Sequence, residues 1–346
     1  MSDSRILPAG PLADIAKLVT DMPGPDLESR AAVRSRDAQL TKPAGSLGRM
    51  EELVEWLACW QRRPLPRVDR PTVAVFAANH GVAARGVSAF PPSVTAAMVE
   101  NFRAGGAAIN QICLTHGLAL KVLDLALEVP TPDITEAAAF DAAGLAATIA
   151  FGMEAVAGDI DLLCIGEMGI GNTTIAAALG CALYSETPEL WVGPGTGLDA
   201  DGLARKQAVV GDAIAQHGGE NLHPLEILRR LGGREVAAMC GAIIAARYAD
   251  APVLIDGFVA TSAAAVLHAT APGALDHCVF AHVSAEPAHR RYLAKMDARP
   301  LLDLGMRLGE GTGAALAAGI VKSAAALHQG MATFEEASVA GRNEPS

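Results

Sequence analysis

Two glutamates framed by glycines are the residues of this chain best suited to proton chemistry. One stands in Leu308-Gly309-Glu310-Gly311-Thr312-Gly313, the other in Gly166-Glu167-Met168-Gly169-Ile170-Gly171-Asn172-Thr173-Thr174. Glycine has no Cβ, so a backbone built from it can come close to a ligand. A carboxylate beside such a backbone, at the entry to a helix, is an acceptor for a proton or a hydroxyl hydrogen. The plainer role for Glu310 is to satisfy the first N–H groups of that helix. Two such segments in one chain point to a shared site.

The second segment also carries an anion-binding pattern. Asp161-Leu162-Leu163-Cys164-Ile165 reads as a strand and Thr173 onward as a helix, with Gly169-x-Gly171-x-x-Thr174 between them. This approaches the dinucleotide fingerprint but ends in Thr instead of Gly, so on its own it is weak support for a nicotinamide dinucleotide. Glycines that bare backbone N–H groups, a helix N-terminus, and the donors Asn172, Thr173 and Thr174 suit a single phosphate. An ordinary capped turn is the competing explanation. Gly193-Pro194-Gly195-Thr196-Gly197 faces the same region if the run before it is a strand, and Arg205 or Lys206 can supply a cation. Asn79-His80-Gly81 offers a histidine that is either a base or a loop-holding hydrogen-bond partner. Asp256-Gly257-Phe258 precedes Thr261 and Ser262, either of which suits a helix cap.

These residues sit at the ends of short apolar runs: Thr72 to Ala78, Leu118 to Leu125, Leu162 to Ile165, Leu190 to Val192, Pro252 to Ile255 and Cys278 to Val283. Continuous apolar strands imply burial on both faces, hence a parallel sheet. Ala-rich helical stretches lie between them, at Val94 to His116, Thr173 to Leu183, Glu235 to Tyr248 and Thr261 to Ala269. The expected fold is therefore α/β: a doubly wound, mainly parallel, Rossmann-like sheet flanked by helices, with ligands beyond the carboxyl ends of the strands. Residues 12 to 62 and the stretch from Gly313 to Glu336 read as helical outside that rhythm. The expected division is a large α/β domain over 63–305 and a small helical subdomain from 1–62 plus 306–346. The polar tail Ala340 to Ser346 is expected to be loose.

Composition narrows the function. The chain has 346 residues, 51% of them hydrophobic and 4% aromatic, with a formal net charge of -11. That balance disfavours nucleic acid or an anionic membrane as partner. Six cysteines lie mostly in apolar runs without a C-x-x-C pair and read as buried free thiols. The nine histidines show no metal-ligand spacing, so no metal is expected. Neither a leader-like N-terminus nor a membrane-length apolar run is present, and a cytoplasmic protein is expected.

Six motifs in order give a resemblance. Lys42-Pro-Ala-Gly-Ser-Leu-Gly-Arg49, Asn79-His-Gly-Val82, Gly166 to Thr174, Asp256-Gly-Phe258, His282-Val-Ser-Ala-Glu286 and Arg307-Leu-Gly-Glu-Gly-Thr-Gly313 together resemble the nicotinate-nucleotide:dimethylbenzimidazole phosphoribosyltransferase family. The likeness runs from about Leu40 to about Glu336. It implies transfer of the 5-phosphoribosyl group of nicotinate mononucleotide to 5,6-dimethylbenzimidazole, with inversion at the anomeric carbon and no cofactor. It further implies Glu310 as general base, Glu167 as a second carboxylate, and Gly169, Gly171, Gly195, Lys206 and Ser284 around the phosphoribosyl group, beside Asn172 and Thr173 of the anion loop. Phe90, Met98, Met168 and Leu308 would hold the base or a related flat ring, although Phe90 and Met98 also suit a simple core. A homodimer is implied as well. Many relatives carry Asp where this chain has Asn79, which leaves Asn79 a structural role and His80 unassigned.

Two other classes remain open from the residues alone. A dinucleotide-dependent oxidoreductase needs an acidic residue about 20 positions after the glycine loop, and Glu186 and Glu189 are poorly placed for it. A non-catalytic sensor would bind nucleotide and base without releasing nicotinate.

Overall fold

The computed structural model describes residues 9–219 and 221–340; most of the tail expected to be loose lies outside them. Helices α1 (Pro11–Thr20), α2 (Leu27–Asp37) and α3 (Arg49–Gln61) precede strand β1 (Pro71–Ala77). Then come α4 (Ser93–Ala104), α5 (Ala108–His116), β2 (Ala119–Asp124), α6 (Ala142–Met153) and β3 (Leu162–Met168). Helices α7 (Asn172–Tyr184), α8 (Ala200–His217), α9 (Pro224–Leu231) and α10 (Arg234–Tyr248) lead to β4 (Val253–Ile255). The described chain closes with α11 (Phe258–Thr270), β5 (Cys278–Phe280), α12 (Pro287–Lys295) and α13 (Thr312–Gly330).

The sheet has five strands in the order β2-β1-β3-β4-β5, and every pairing is parallel. Each residue of β1 is buried, as a strand covered on both faces must be. The winding direction reverses between β1 and β3, since β2 lies to one side of β1 and β3, β4 and β5 to the other. Sheets of this kind bind ligands outside the carboxyl ends at that reversal.

Alternation along β1 divides the core in two. Val73 and Val75 face a layer that includes Leu53 and Leu57 of α3, Ile109 of α5 and Ala314, Ala318 and Val321 of α13. Ala74 and Phe76 face the opposite layer of α6, α7, α10 and α11, which α1 joins through Leu12, Ile15 and Val19. Helices α6 and α10 touch backbone to backbone: a Cβ on Gly152 would lie 1.9 Å from the Ala238 carbonyl oxygen. Glycine is the only residue that this approach admits.

Two expectations about elements need correcting. Leu190 to Val192 is not a strand. Pro188–Leu190 form one 3-10 turn, and the Pro188 carbonyl accepts from both Trp191 N (3.0 Å) and Val192 N (2.9 Å). Proline has no N–H to give a ladder, and burial of Trp191 beside Tyr184 and Tyr292 fixes the turn instead. The stretch Val94 to His116 is two helices, parted at Gly105 (φ 82°), whose left-handed backbone ends α4. Five cysteines are buried and Cys278 is half-buried, all as free thiols. Among the described residues no helix is long and apolar enough to cross a membrane.

Candidate active site

Strand β3 carries Glu167 and Met168 to the carboxyl edge of the sheet. The Glu310 loop lies directly on that strand because Gly166 has no side chain; a Cβ there would fall 2.2 Å from Gly311 N. Glu310 N donates to the Glu167 carbonyl at 3.1 Å, so the backbones of the two glutamates are tied together. The cap of α13 falls to a third carboxylate. Asp256, just past β4, accepts from Gly311 N (3.1 Å) and Ala314 N (3.0 Å). With capping done elsewhere, the Glu310 side chain is buried and its Oε2 has no hydrogen-bond partner. Its backbone is left-handed at φ 61°, a region few non-glycine residues adopt.

Burial, with the charge of Asp256 added, pushes the Glu310 carboxyl up to about 7. Glu167 is pushed further, to about 8, by burial and by the negative charges of Asp256, Glu235 and Glu310; a hydrogen bond from the Asn172 side-chain amide opposes them. His282 stands 3.4 Å from Asp256, and although burial pulls its imidazole down, the bond to Asp256 leaves it raised overall.

Glu167, Met168, Gly169, Asn172, Thr173, Gly195, Ser284 and Leu308 line one cavity of about 100 Å³ at this edge. Lys206 lies behind this lining, fully buried, donating to Thr173 Oγ1 (2.7 Å) and the Gly193 carbonyl (3.2 Å). Burial pulls its ammonium down to about 8, against the pull of Glu286. Gly171 lies behind the wall as the left-handed cap of α7, beside Ala83. Glu310 is also outside the lining and reaches it through its link to Glu167. Phe90 and Met98 do not line the cavity. Phe90 is exposed two residues after Ser88, whose Oγ lies 3.3 Å from Thr196 Oγ1, and Met98 packs with Met168 against the sheet.

The donors of the glycine loop are partly spent. Ile170 N gives its proton to Thr95 Oγ1 (3.1 Å), and the Asn172 amide is committed to Glu167. An anion here leans on Thr173, Lys206 and a further cation. Asn79 donates to the Leu127 carbonyl (3.0 Å), and His80 Nε2 meets Glu235 at 2.9 Å in a fully buried pair under Gly169.

Comparison with known proteins matches residues 22–339 to a family described as Phosphoribosyltransferase. Nicotinate-nucleotide–dimethylbenzimidazole phosphoribosyltransferase of Brucella anthropi is 64% identical over 96% of this chain and 98% of its own length. Its namesake from Brucella canis is 65% identical over 95% and 97%. The crystal structure of the Thermus thermophilus protein of that name superposes with a TM-score of 0.84 at 41% identity, covering 92% of this chain and 100% of its own. The chain belongs to the nicotinate-nucleotide–dimethylbenzimidazole phosphoribosyltransferase family.

As a member of that family it is a pentosyltransferase with an α/β fold. Two charged lining residues of this phosphoribosyltransferase were given no role from sequence. Arg307 reaches the Gly195 carbonyl (2.9 Å) from the cavity rim, and Glu286 lines the wall below it. Both stand at the ends of quoted motifs, Arg307 opening the Glu310 segment and Glu286 closing the His282 segment. The signal was charge at a motif edge, which from sequence alone is indistinguishable from a solvated surface residue.

Proposed function

We propose that this chain transfers the 5-phosphoribosyl group of nicotinate mononucleotide to 5,6-dimethylbenzimidazole, giving α-ribazole 5′-phosphate and nicotinate. The observation that carries the reading is Glu310: a buried carboxyl pushed up to about 7, with an unpartnered oxygen, tied to the wall of the cavity. A base poised near the working pH is the one best able to take a proton in the transition state. One ring nitrogen of the benzimidazole gives its lone pair to C1′ while the C1′–N bond to the pyridinium breaks. The bonding pair returns to the nicotinate ring nitrogen, and the N–H proton of the attacking ring passes to Glu310. In-line attack inverts the anomeric carbon from β to α.

Glu167, held mainly protonated at pH 7 by its raised pKa, serves as a neutral polar anchor beside the attacking ring. Lys206, Thr173, Ser284 and the backbone at Gly169, Gly171 and Gly195 take the phosphoribosyl group, helped by Arg307 at the rim. A 100 Å³ interior is smaller than the roughly 300 Å³ that a drug-sized ligand fills. The flat base therefore lies out along Met168 and the exposed Leu308, with Phe90 and Met98 completing its wall on closure. The protein works as a homodimer in the cytoplasm in this reading, and light scattering of the purified chain tests the dimer.

The reaction is tested by nicotinate release from nicotinate mononucleotide with and without 5,6-dimethylbenzimidazole. Base-dependent release supports transfer. Tight binding of both ligands without release would replace the enzyme by a sensor.

A further inference from the structure

Glu286 is a second carboxylate in the cavity lined by Glu167, on the side where Arg307 stands. It is 4% exposed, caps α12, and lines the cavity with Gly195, Thr196, Ser284 and Arg307. Its backbone N–H goes to Ser284 Oγ at 3.2 Å, which fixes where the side chain starts. The carboxylate takes the Gly195 N–H, yet Oε1 has no hydrogen-bond partner. No ion pair joins it to Lys206, whose protons go to Thr173 and the Gly193 carbonyl. Gly193 leaves the space it needs, since a Cβ there would lie 1.9 Å from Oε1.

A buried acceptor without a donor is costly unless a ligand supplies one. A carboxylate also opposes the phosphate that Lys206 and Arg307 attract, so Glu286 is not a phosphate ligand. The phosphoribosyl fragment offers only two hydrogen-bond donors, its 2′ and 3′ hydroxyls, because the phosphate monoester at neutral pH is almost entirely an acceptor. A carboxylate suits such hydroxyls, and Oε1 is the oxygen left open to accept from them. We infer that Glu286 is the ribose-reading residue of this site, accepting from the sugar hydroxyls and selecting ribonucleotides over their deoxy counterparts. The inference rests on the phosphoribosyl transfer reading above and names the sugar specificity within it.

The test is equilibrium binding, by calorimetry, of nicotinate mononucleotide and its 2′-deoxy and 3′-deoxy forms to wild type, Glu286→Gln and Glu286→Ala. Thermal melts check that each variant is folded. Hydrogen bonds to a charged group set the scale, so wild type should prefer the ribonucleotide to at least one deoxy form by roughly 10- to 100-fold. In Glu286→Ala that ratio should fall below about threefold, with Glu286→Gln between. A variant that weakens all three nucleotides equally would mean Glu286 acts only through the charge of Lys206, and the inference fails. So it does if wild type shows no preference. Turnover with an unchanged ratio overturns the ribose assignment alone, whereas no nucleotide binding at all overturns the transferase reading with it.

Discussion

The Glu167 loop and the Glu310 loop have the same design in sequence and different surroundings in space. Glu167 ends a strand in ordinary extended backbone, lines the cavity, and has the Asn172 amide as partner. Glu310 sits on a left-handed turn, has a carboxyl oxygen without partner, and owes its freedom to Asp256 capping α13 in its place. The more crowded carboxyl is pushed to about 8, the freer one to about 7. Glycine framing therefore announces a carboxylate held close to backbone, whereas its neighbours decide whether it holds or gives up a proton near neutrality.

Swapping each glutamate for glutamine breaks the comparison most sharply. Glu310→Gln should lower kcat by about 10²–10⁴-fold, the usual worth of a general base. Glu167→Gln should cost less than about tenfold, since an amide resembles the protonated acid already present. Equal losses in steady-state nicotinate release would instead mean that the two titrate as one coupled pair.

Shifting one loop off the other comes next. Gly166→Ala puts a methyl group 2.2 Å from Gly311 N, where backbone must move. Overpacking of this kind costs about 1–3 kcal/mol in stability. The melting temperature should fall, and kcat should fall with it as the two carboxylates part. Full activity in Gly166→Ala would show that their spacing does not matter.

The pH dependence sharpens the contrast. Glu310 must be ionised to act, so kcat/KM should rise with pH through about 7 and be lost below it. Stability should run the other way. Both folded-state values lie above the usual 4.5, so the stability these protonated groups add is fully present below that value. It is lost as pH rises through about 7 and about 8. The ligand-free melting temperature should drop over that window in wild type and stay flatter in the double variant Glu167→Gln/Glu310→Gln. The smallest effect belongs to Asn172→Ala. Removing the amide that opposes the upward shift should move Glu167 higher still in a carbon-13 NMR titration, while changing kcat by less than about threefold.

Much of this was legible in sequence because it rests on local pattern. The apolar runs of β1 and β3 read correctly because burial on both faces leaves little room for polar residues, and α13 because its alanine-rich run reads as a helix. The parallel, doubly wound arrangement followed from them. Leu190 to Val192 misled because three apolar residues look alike in a strand and in a turn that buries Trp191. Asp256 drew attention as a strand-end residue, but its hold on Gly311 and Ala314 spans more than fifty residues of chain and leaves no local trace. The same holds for the His80–Glu235 pair, where two fully buried side chains meet from distant elements.

The contact of Gly166 with Gly311 also sets a timetable for the newborn protein. All five strands precede α13 in the chain, and domains tend to fold as they emerge from the ribosome. A nascent chain without α13 therefore leaves Val73, Val75 and Leu254 of the sheet uncovered on one face. α13 settling onto β3 thus closes the core and seats the Glu310 loop on Gly166 in one step.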